Sequence, residues 1–301
     1  MNTEVLSPRY DVVIVGGSYA GMAAALQLVR ARRKVLIVDA GQRRNRFAAT
    51  SHGVLAQDGR APEAIAAEAK TQLLAYPTLQ WLNATATGGK KQGDEFLITL
   101  DNGETVQTGR IVLATGVRDN LPAIPGLAER WGKHVFHCPY CHGYELNQGN
   151  IGVIAGGEFS FHHAMLLPDW GRVTLFTNDL FIPDEAQTNA MLARGVSVET
   201  TPVAAIEKHA NVRLQDGREL AMDGLFCLSR TEIIGSLVQD LQCELVESPI
   251  GVFIQTDEFK QTSVPGVFAC GDVARMAGNV SMAIGDGAFT GASVHRTLIF
   301  N

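Results

Sequence analysis

The sequence predicts an α/β protein with two three-layer domains, and three observations predict it. A strand–turn–helix–strand unit with a glycine-rich first turn begins at Tyr10, and a weaker copy of that unit begins at Ile151. Between them, the segment DNLPAIPG (residues 119–126) carries two prolines and a glycine, which indicates a linker between domains. The length of 301 residues agrees, because domains average roughly 150 residues.

The composition excludes several classes of protein. Hydrophobic residues make up 46% of the chain and charged residues 19%, so intrinsic disorder is excluded as the main state. A net charge of −6 argues against general nucleic-acid binding, which needs a basic surface. The start MNTEVLSPRYD lacks the features of a signal peptide, and no apolar run of 18 residues occurs, so we expect a soluble cytoplasmic protein. Five cysteines, an odd number, do not form a secreted disulfide framework.

The first half of the chain follows a strand–helix alternation. The run YDVVIV is short, apolar and β-branched, as in a buried strand, and apolar residues then recur at helical spacing to about Arg32. The run KVLIVD is a second strand that ends in an acid. The pattern predicts a further helix over residues 61–75 and strands over residues 78–86, 95–100 and 110–114. This order is that of a Rossmann-like domain.

The second half repeats the alternation less regularly. IGVIA and RVTLFTN are predicted strands, with a short helix between them that Pro168 ends. Pro183 is expected at the first position of a helix that runs to about Arg194. We predict a hairpin over residues 204–214, a strand at GLFCLS, and, after PGVFACGD, a helix from about Ser281.

The first glycine-rich turn predicts a dinucleotide site. Such a turn needs small residues so that backbone amides can reach a pyrophosphate, and an acid at the end of the next strand to bind ribose hydroxyls. The turn GGSYAG has the first and last glycines of the usual pattern, with Ser18 in place of the middle one. The predicted contacts are Gly16, Gly17, Ser18, Ala20, Gly21, Asp39, Ala40 and Arg46. The alternative is a turn that only packs a helix on a sheet.

A cluster of arginines follows Asp39 directly, at Arg43, Arg44 and Arg46. Arginines in this place can hold the 2′-phosphate of NADP. More often, such a cluster forms a solvated loop or lies along a pyrophosphate.

The segment HCPYCHGYE contains the C-x-x-C pair, Cys138 and Cys141. A helix start lowers the pKa of a thiol, and the thiolate is the nucleophile in disulfide exchange. His142 can exchange a proton near neutral pH. Redox activity is the favoured interpretation. The alternatives are a c-type haem attachment, a purely structural thiol pair, and a zinc site formed by His134, His137, Cys138, Cys141 and His142.

Two more motifs complete a family pattern. Ala114-Thr115-Gly116 ends one buried strand, and Gly271-Asp272 ends another far downstream. With the glycine turn, the acid, the C-x-x-C pair and the second strand–helix unit in this order, the chain resembles the FAD-dependent class II pyridine nucleotide–disulfide oxidoreductases, the low-molecular-weight thioredoxin reductases.

The resemblance implies a division of the chain and a set of cofactor contacts. It implies a discontinuous FAD domain of residues 1–118 and 233–301, an inserted smaller NAD(P)-type domain of residues 119–232, and a homodimer. Asp272 would bind the ribityl chain of FAD. Backbone amides at Met282 and Ala283 would lie by the isoalloxazine ring. The other implied FAD contacts are Ala114, Thr115, Gly116 and Gly271.

The resemblance also implies roles for the cysteine pair. Cys141 would exchange electrons with FAD, and Cys138 would form the mixed disulfide with substrate. His142 stands where thioredoxin reductases usually have an aspartate, and C-P-x-C-H resembles the dithiol oxidase subgroup, which closes disulfides in small molecules and passes electrons to oxygen. The expected function is therefore dithiol oxidation. The alternatives are an NAD(P)H- or ferredoxin-driven reductase of thioredoxin-like proteins, and a non-catalytic flavin or redox sensor.

The second glycine turn makes use of NADP(H) doubtful. Ala155 and Ser160 replace the first and last glycines, and Glu158 and Phe159 add charge and bulk where a pyrophosphate would lie. The next predicted strand, RVTLFTN, is followed by Asp179 and not by an arginine.

Overall fold

The computed structural model describes residues 9–300. Most of the N-terminal segment that was examined for a signal peptide therefore lies outside the described residues. The chain divides into two compact units: unit 1 comprises Met1–Arg44, Pro62–Arg118 and Glu232–Asn301, and unit 2 comprises Asn45–Ala61 and Asp119–Thr231.

The helices and strands follow in chain order. From Arg9 to Asn120 they are β1 (Arg9–Val15), α1 (Tyr19–Arg30), β2 (Val35–Asp39), α2 (Pro62–Leu74), β3 (Leu79–Asn83), β4 (Ala86–Gln92), β5 (Glu95–Leu100), β6 (Thr105–Leu113) and β7 (Arg118–Asn120). Unit 2 continues with β8 (Val135–Phe136), α3 (Pro139–His142), β9 (Asn150–Ile154), α4 (Ser160–Leu166), β10 (Arg172–Phe176), α5 (Glu185–Ala193), β11 (Ser197–Glu199), β12 (Val203–Glu207), β13 (Asn211–Leu214), β14 (Glu219–Leu220), β15 (Gly224–Cys227) and β16 (Arg230–Glu232). The return to unit 1 adds α6 (Leu237–Asp240), β17 (Leu245–Ser248), β18 (Gly251–Ile254), β19 (Val267–Ala269) and α7 (Val280–Thr297).

The main sheet of unit 1 has the strand order β3-β2-β1-β6-β5-β4, with β19 paired to β6. β1, β2, β3, β6 and β19 run parallel, while β4 and β5 form an antiparallel extension. The register places Val15 beside Val38 and Leu113, and Leu113 beside Ala269. The carboxyl ends of these strands therefore share one edge of the sheet. The predicted motifs that follow them begin at that edge.

Both faces of this sheet are covered by apolar side chains. On one face, alternate residues of β1 such as Val12 and Ile14 pack with α1 and α7. On the other face, Val13 and Val15 pack with β5 and α6. Strands buried on both faces read as continuous apolar runs, which is why VVIV and VLIV predicted strands correctly.

Unit 2 has a parallel sheet in the order β11-β10-β9-β15-β8 and a separate antiparallel sheet in the order β12-β13-β14. The predicted hairpin over residues 204–214 is present as β12 and β13. One helix start differs from the prediction. α5 begins at Glu185 rather than at Pro183, because Asp184 forms a capping box with Gln187.

Two segments of unit 2 bear on the sequence-predicted boundaries, which also placed residues 119–126 in the inserted domain. Residues 119–126, predicted as a linker, belong to unit 2, where Ile206 N–H donates to the carbonyl of Pro125 and Gly126 packs against Ile206. Residues 45–61, assigned by sequence to the first domain, also group with unit 2, where Phe47 packs against Gly132. Within residues 9–300, no helix has the length and apolar character needed to cross a membrane.

Candidate nucleotide site and redox disulfide

In the glycine-rich turn after β1, backbone atoms of neighbouring segments lie very close to one another. Gly16 has a φ of +109°, and a Cβ there would lie 2.2 Å from the carbonyl oxygen of Ala114. A Cβ at Gly21 would lie 1.9 Å from the carbonyl oxygen of Gly16. A Cβ at Gly17 would meet Asp39 at 2.6 Å. Only glycine fits these positions, so the turn is a backbone cradle at the start of α1 and suits a pyrophosphate.

Ser18 shows why the missing middle glycine is tolerated. It is the N-cap of α1 with φ of −90°, a backbone conformation that any residue adopts. Its side chain makes no capping hydrogen bond. Ala20 is buried in the first turn of the helix. The N-terminus of α1, with its partial positive charge, thus remains uncapped by a side chain.

Asp39 closes β2 beside the glycine turn. Its Oδ1 accepts hydrogen bonds from Gly17 N–H (3.1 Å) and Gly41 N–H (3.2 Å). The carboxylate is thereby fixed next to the cradle, as an acid that binds ribose hydroxyls must be. Ala40 follows as an exposed residue.

The arginines after Asp39 belong to different units. Arg44 belongs to unit 1, and its Nη1 lies 2.8 Å from Asp272 Oδ2, with both side chains about one-fifth exposed. Arg46 belongs to unit 2, where its guanidinium lies 4.2 Å from the centroid of the Phe47 ring. The ion pair of Arg44 with Asp272 joins residues 228 positions apart, and no sequence signal indicated it.

The motifs after β6 and β19 lie side by side because these strands pair in parallel. Gly116 and Gly271 have φ of +64° and +74°. Gly271 N–H donates to Asp286 Oδ2 at 2.8 Å, and Asp286 Oδ1 lies 2.6 Å from Lys260 Nζ. Asp286 is almost fully buried, so this carboxylate fixes the turn that presents Asp272. Ala114 and Thr115 lead into Gly116 from the same sheet edge.

The first amides of α7 have hydrogen-bond partners at the start of the helix. Met282 N–H donates to the side chain of Asn279 (2.8 Å), and Ala283 N–H donates to the carbonyl of Asn279 (2.9 Å). Both amides predicted to face a flavin ring therefore have partners within the helix. The side chain of the N-cap Asn279 binds the first of these amides, and the second makes the ordinary helical bond to the carbonyl four residues earlier.

In unit 2, Cys138 and Cys141 form a disulfide. Cys138 is the N-cap of the short α3, and Pro139 occupies its first position. Both cysteines are half-buried. Tyr140 between them is 69% exposed and meets Trp170 edge-on at 5.4 Å between ring centroids.

His142 stacks on Phe136 with ring centroids 4.2 Å apart. Burial, with a further contribution from the charge of His52, lowers the pKa of His142 to about 4. The imidazole is therefore neutral at pH 7. A neutral imidazole, here on the residue that follows Cys141 in sequence, is able to accept a proton.

Sequence reasoning missed His52. Its Nε2 lies 3.4 Å from Glu145 Oε1, and its Nδ1 lies 3.6 Å from Asp58 Oδ2. It lies about 90 positions before the cysteine pair, so no local spacing could have indicated it.

His163 supports the cysteine loop from α4. It is 5% exposed, and its Nδ1 has no hydrogen-bond partner among the described residues. Burial and the charge of His162 lower the pKa of His163 to about 4, against a hydrogen bond to the backbone of His137 that raises it. That bond reaches the residue just before Cys138.

In the second glycine-rich turn, after β9, a side chain from the start of α4 binds one of the backbone amides. Gly156 N–H donates to Ser160 Oγ at 2.9 Å, and Ser160 is 1% exposed. Ala155 is fully buried, while Glu158 and Phe159 are exposed. An amide that would meet a phosphate is thus already bound.

The three cysteines outside the C-x-x-C pair are buried, unreactive thiols. Cys227, Cys243 and Cys270 are buried and reduced. Burial raises the pKa of Cys227 and Cys270 to about 12. Within residues 9–300, no three His, Cys, Asp or Glu side chains are grouped to hold a metal, and Cys138 and Cys141 are bonded to each other.

Comparison with known proteins gives consistent matches along the whole chain. A family model described as pyridine nucleotide-disulphide oxidoreductase matches residues 10–287. The chain is 31% identical to a protein named thioredoxin reductase tcpT from Claviceps purpurea, over 96% of this chain and 94% of that protein. It is 53% identical to an oxidoreductase of known crystal structure from Agrobacterium tumefaciens, with a TM-score of 0.95 over 97% and 99% of the two chains. The crystal structure of HlmI matches at 34% identity and a TM-score of 0.89, over 96% and 92%.

Proposed function

The chain belongs to the pyridine nucleotide-disulphide oxidoreductase family, as a thioredoxin reductase-like thiol–disulfide oxidoreductase, and we propose that it oxidises dithiols to disulfides with oxygen as the final acceptor. Membership implies FAD as cofactor. The proposal assigns FAD to unit 1 and the reacting cysteine pair to unit 2.

The residues of unit 1 fit FAD. The cradle of Gly16, Gly17 and Gly21 would hold the pyrophosphate, Asp39 the adenosine ribose, and Asp272 the ribityl chain. When bound, FAD supplies a two-electron acceptor that reoxidises a dithiol and can deliver the electrons to oxygen.

The cysteine pair performs two successive exchanges. A thiolate of the substrate attacks Cys138 Sγ, the Cys138–Cys141 bond breaks, and Cys141 leaves as a thiolate. The second substrate thiolate attacks its partner sulfur in the mixed disulfide and releases Cys138. The substrate loses two electrons and closes its disulfide, while the two cysteines gain the electrons. Neutral His142 accepts the proton of the incoming thiol.

The observation that carries the oxidase direction is the closed turn of unit 2. A reductase driven by NADPH needs amides at that turn to bind a pyrophosphate, and the hydrogen bond from Gly156 to Ser160 uses one of them. Glu158 and Asp179 add negative charge near the same place, which disfavours a multiply charged ligand.

Two reactions of the purified holoprotein test the proposal. Aerobic dithiothreitol should be oxidised with one hydrogen peroxide released per disulfide formed, and anaerobic NADPH should leave the flavin absorbance near 450 nm unchanged. Cys138→Ser should abolish turnover, while the matched control Cys227→Ala, which changes a buried cysteine of the same unit, should retain it. Turnover would also exclude a non-catalytic redox sensor.

The second candidate function is reduction of a thioredoxin-like protein. The name of the Claviceps relative favours it. Rapid bleaching of the flavin by NADPH, followed by reduction of a thioredoxin, would establish this candidate and overturn the oxidase. A cytoplasmic location and a homodimer stay predictions from the sequence and the family resemblance.

A further inference from the structure

A buried ion pair lies next to the turn that presents Asp272 in unit 1. Lys260 Nζ lies 2.6 Å from Asp286 Oδ1, and the two side chains are 22% and 5% exposed. The other carboxylate oxygen, Asp286 Oδ2, accepts a hydrogen bond of 2.8 Å from Gly271 N–H. One carboxylate therefore links the lysine to the backbone amide of the residue that directly precedes Asp272.

The backbone of Lys260 is tied to the strand that leads into this turn. Its carbonyl accepts a hydrogen bond of 3.0 Å from the N–H of Ala269, the last residue of β19. Asp257 shapes the chain around it, because its Oδ1 accepts from Phe259 N–H at 2.9 Å and from Gln261 N–H at 2.8 Å. Lys260 thus connects the end of β19, through its backbone, with α7, through its side chain.

The backbone conformation of Lys260 is one that favours glycine. Its φ is +68°, which residues with a side chain adopt rarely. Glycine would adopt this conformation without steric cost. The turn alone does not require a lysine, so the ammonium group that contacts Asp286 is the feature that explains the residue.

The carboxylate of Asp286 depends on this cation for its charge balance. The neighbouring thiol of Cys270 carries no compensating charge, because burial, with a further contribution from the charge of Asp286, raises the pKa of Cys270 to about 12. The hydroxyl of Thr290 donates to the main-chain carbonyl of Asp286 at 2.8 Å. Removal of one partner from a buried ion pair leaves an uncompensated charge, which is strongly destabilising.

We propose that Lys260 is a positioning residue for FAD, which keeps Asp286 in place as the acceptor of the Gly271 amide and so keeps Asp272 where the ribityl chain would bind. Asp272 has little room to adjust if this turn shifts, since a Cβ at Gly278 would lie 2.1 Å from its Oδ1. The inference rests on the assignment of FAD to unit 1 in the proposed function, and it does not depend on the direction of electron flow.

The test measures the FAD affinity of the full-length holoprotein. Holoprotein is diluted in steps, and the fluorescence of released FAD gives the dissociation constant at pH 6.0 and at pH 8.5. Wild-type protein is compared with Lys260→Met, with Lys260→Arg, and with a double variant that combines Lys260→Met and Asp286→Asn. The matched control is Lys91→Met, at an exposed lysine of β4 in the same unit.

The variants separate the charge pair from simple packing. Lys260→Met should bind FAD on the order of ten-fold more weakly than wild type at pH 8.5, because an ionised Asp286 is then buried without a cation. The loss should be smaller at pH 6.0, where protonation of the unpaired carboxylate removes its charge.

The other variants should recover the affinity. The double variant should bind FAD more tightly than Lys260→Met at pH 8.5, because the side-chain oxygen of an asparagine accepts a hydrogen bond from Gly271 N–H and carries no charge. Lys260→Arg should restore most of the affinity because it keeps a cation at this position. Lys91→Met should match the wild type.

The outcomes are distinguishable. Equal FAD affinity of wild type and Lys260→Met at both pH values would overturn the proposal. Losses that add up in the double variant and do not change with pH would also overturn it, in favour of a packing role. If Lys260→Met yields no folded protein, the double variant decides, because recovery of folded, FAD-bound protein supports the charge pair and its failure overturns it.

The proposed function is tested separately by the same preparations. If the variants behave as expected but aerobic dithiothreitol gives no peroxide, the oxidase function fails while the role of Lys260 stands. If peroxide is formed and Lys260→Met binds FAD like the wild type, the role of Lys260 fails while the oxidase function stands.

Discussion

Replacing Gly287 by alanine should loosen the FAD-binding unit at a defined point. A Cβ at Gly287 in α7 would lie 2.0 Å from the carbonyl oxygen of Ala20 in α1 and 2.8 Å from its Cα. These are backbone atoms, which cannot move aside as a flexible side chain can. The helices would have to separate by about 1.4 Å to restore an ordinary contact of 3.4 Å.

The cost follows from this displacement. Overpacking a close contact costs about 1–3 kcal/mol, and a backbone neighbour favours the upper part of that range. The gain in helix propensity from glycine to alanine returns about 1 kcal/mol. We therefore expect a net loss of about 2 kcal/mol. Ala20 belongs to the phosphate turn, so the displacement reaches the proposed pyrophosphate site.

Gly285 is the matched control, two residues earlier in the same helix. A Cβ there meets nothing within 4 Å, and the residue is exposed. Gly285→Ala should keep full FAD content and should melt at the same temperature or higher, while Gly287→Ala should lose FAD on purification and melt lower. The ratio of absorbance at 450 and 280 nm and the release of FAD fluorescence on heating measure both effects. If Gly287→Ala kept full FAD content and melted like Gly285→Ala, the close packing of α1 on α7 would not control the site.

Three further predictions follow from single groups. Asp39→Ala should weaken FAD binding roughly ten- to one-hundred-fold, measured by fluorescence titration, because it removes the acceptor of the Gly17 amide and the proposed ribose ligand. Because the pKa of His163 is lowered in the folded state, the unfolded state binds the proton more tightly. The free energy of unfolding is therefore unaffected by this histidine above pH 6.5 and decreases as the pH falls towards 4. The free energy of unfolding of wild type minus that of His163→Gln should therefore fall by about 2–3 kcal/mol between pH 7.5 and pH 4.5, measured by tryptophan-monitored urea unfolding, and a pH-independent difference would contradict this. In native reduced protein at pH 8, iodoacetamide should leave Cys227 and Cys270 unlabelled by mass spectrometry, because burial keeps both thiols protonated; fast labelling of either would contradict their placement.

The local parts of the fold were predictable because they depend on neighbours in sequence. The apolar runs of β1 and β2 identify buried strands, and α1 follows from helical spacing. β4 was missed because its sequence ATGGKKQ contains glycines and lysines, which are poor strand formers. It forms a strand because β5 supplies its hydrogen bonds. Tertiary context decided this element, so its own residues could not reveal it.

The candidate site divides in the same way. The glycine turn and the C-x-x-C pair are contiguous motifs, and sequence identified both. Arg44 and His52 act through partners far along the chain, Asp272 and Glu145. Such contacts depend on how loops pack, and a single sequence carries no signal for them.

The Rossmann-like framework of unit 2 supports the loop that carries the disulfide. β8 pairs in parallel with β15 and ends at Phe136, the ring on which His142 stacks. His163, on α4 directly after the closed glycine turn, hydrogen-bonds the backbone of His137, next to Cys138. The strand therefore positions the ring of His142, and the helix holds the loop that carries the disulfide. Because both supports come from the frame rather than from a bound phosphate, the second turn can lose its glycines while the cysteine pair keeps its geometry.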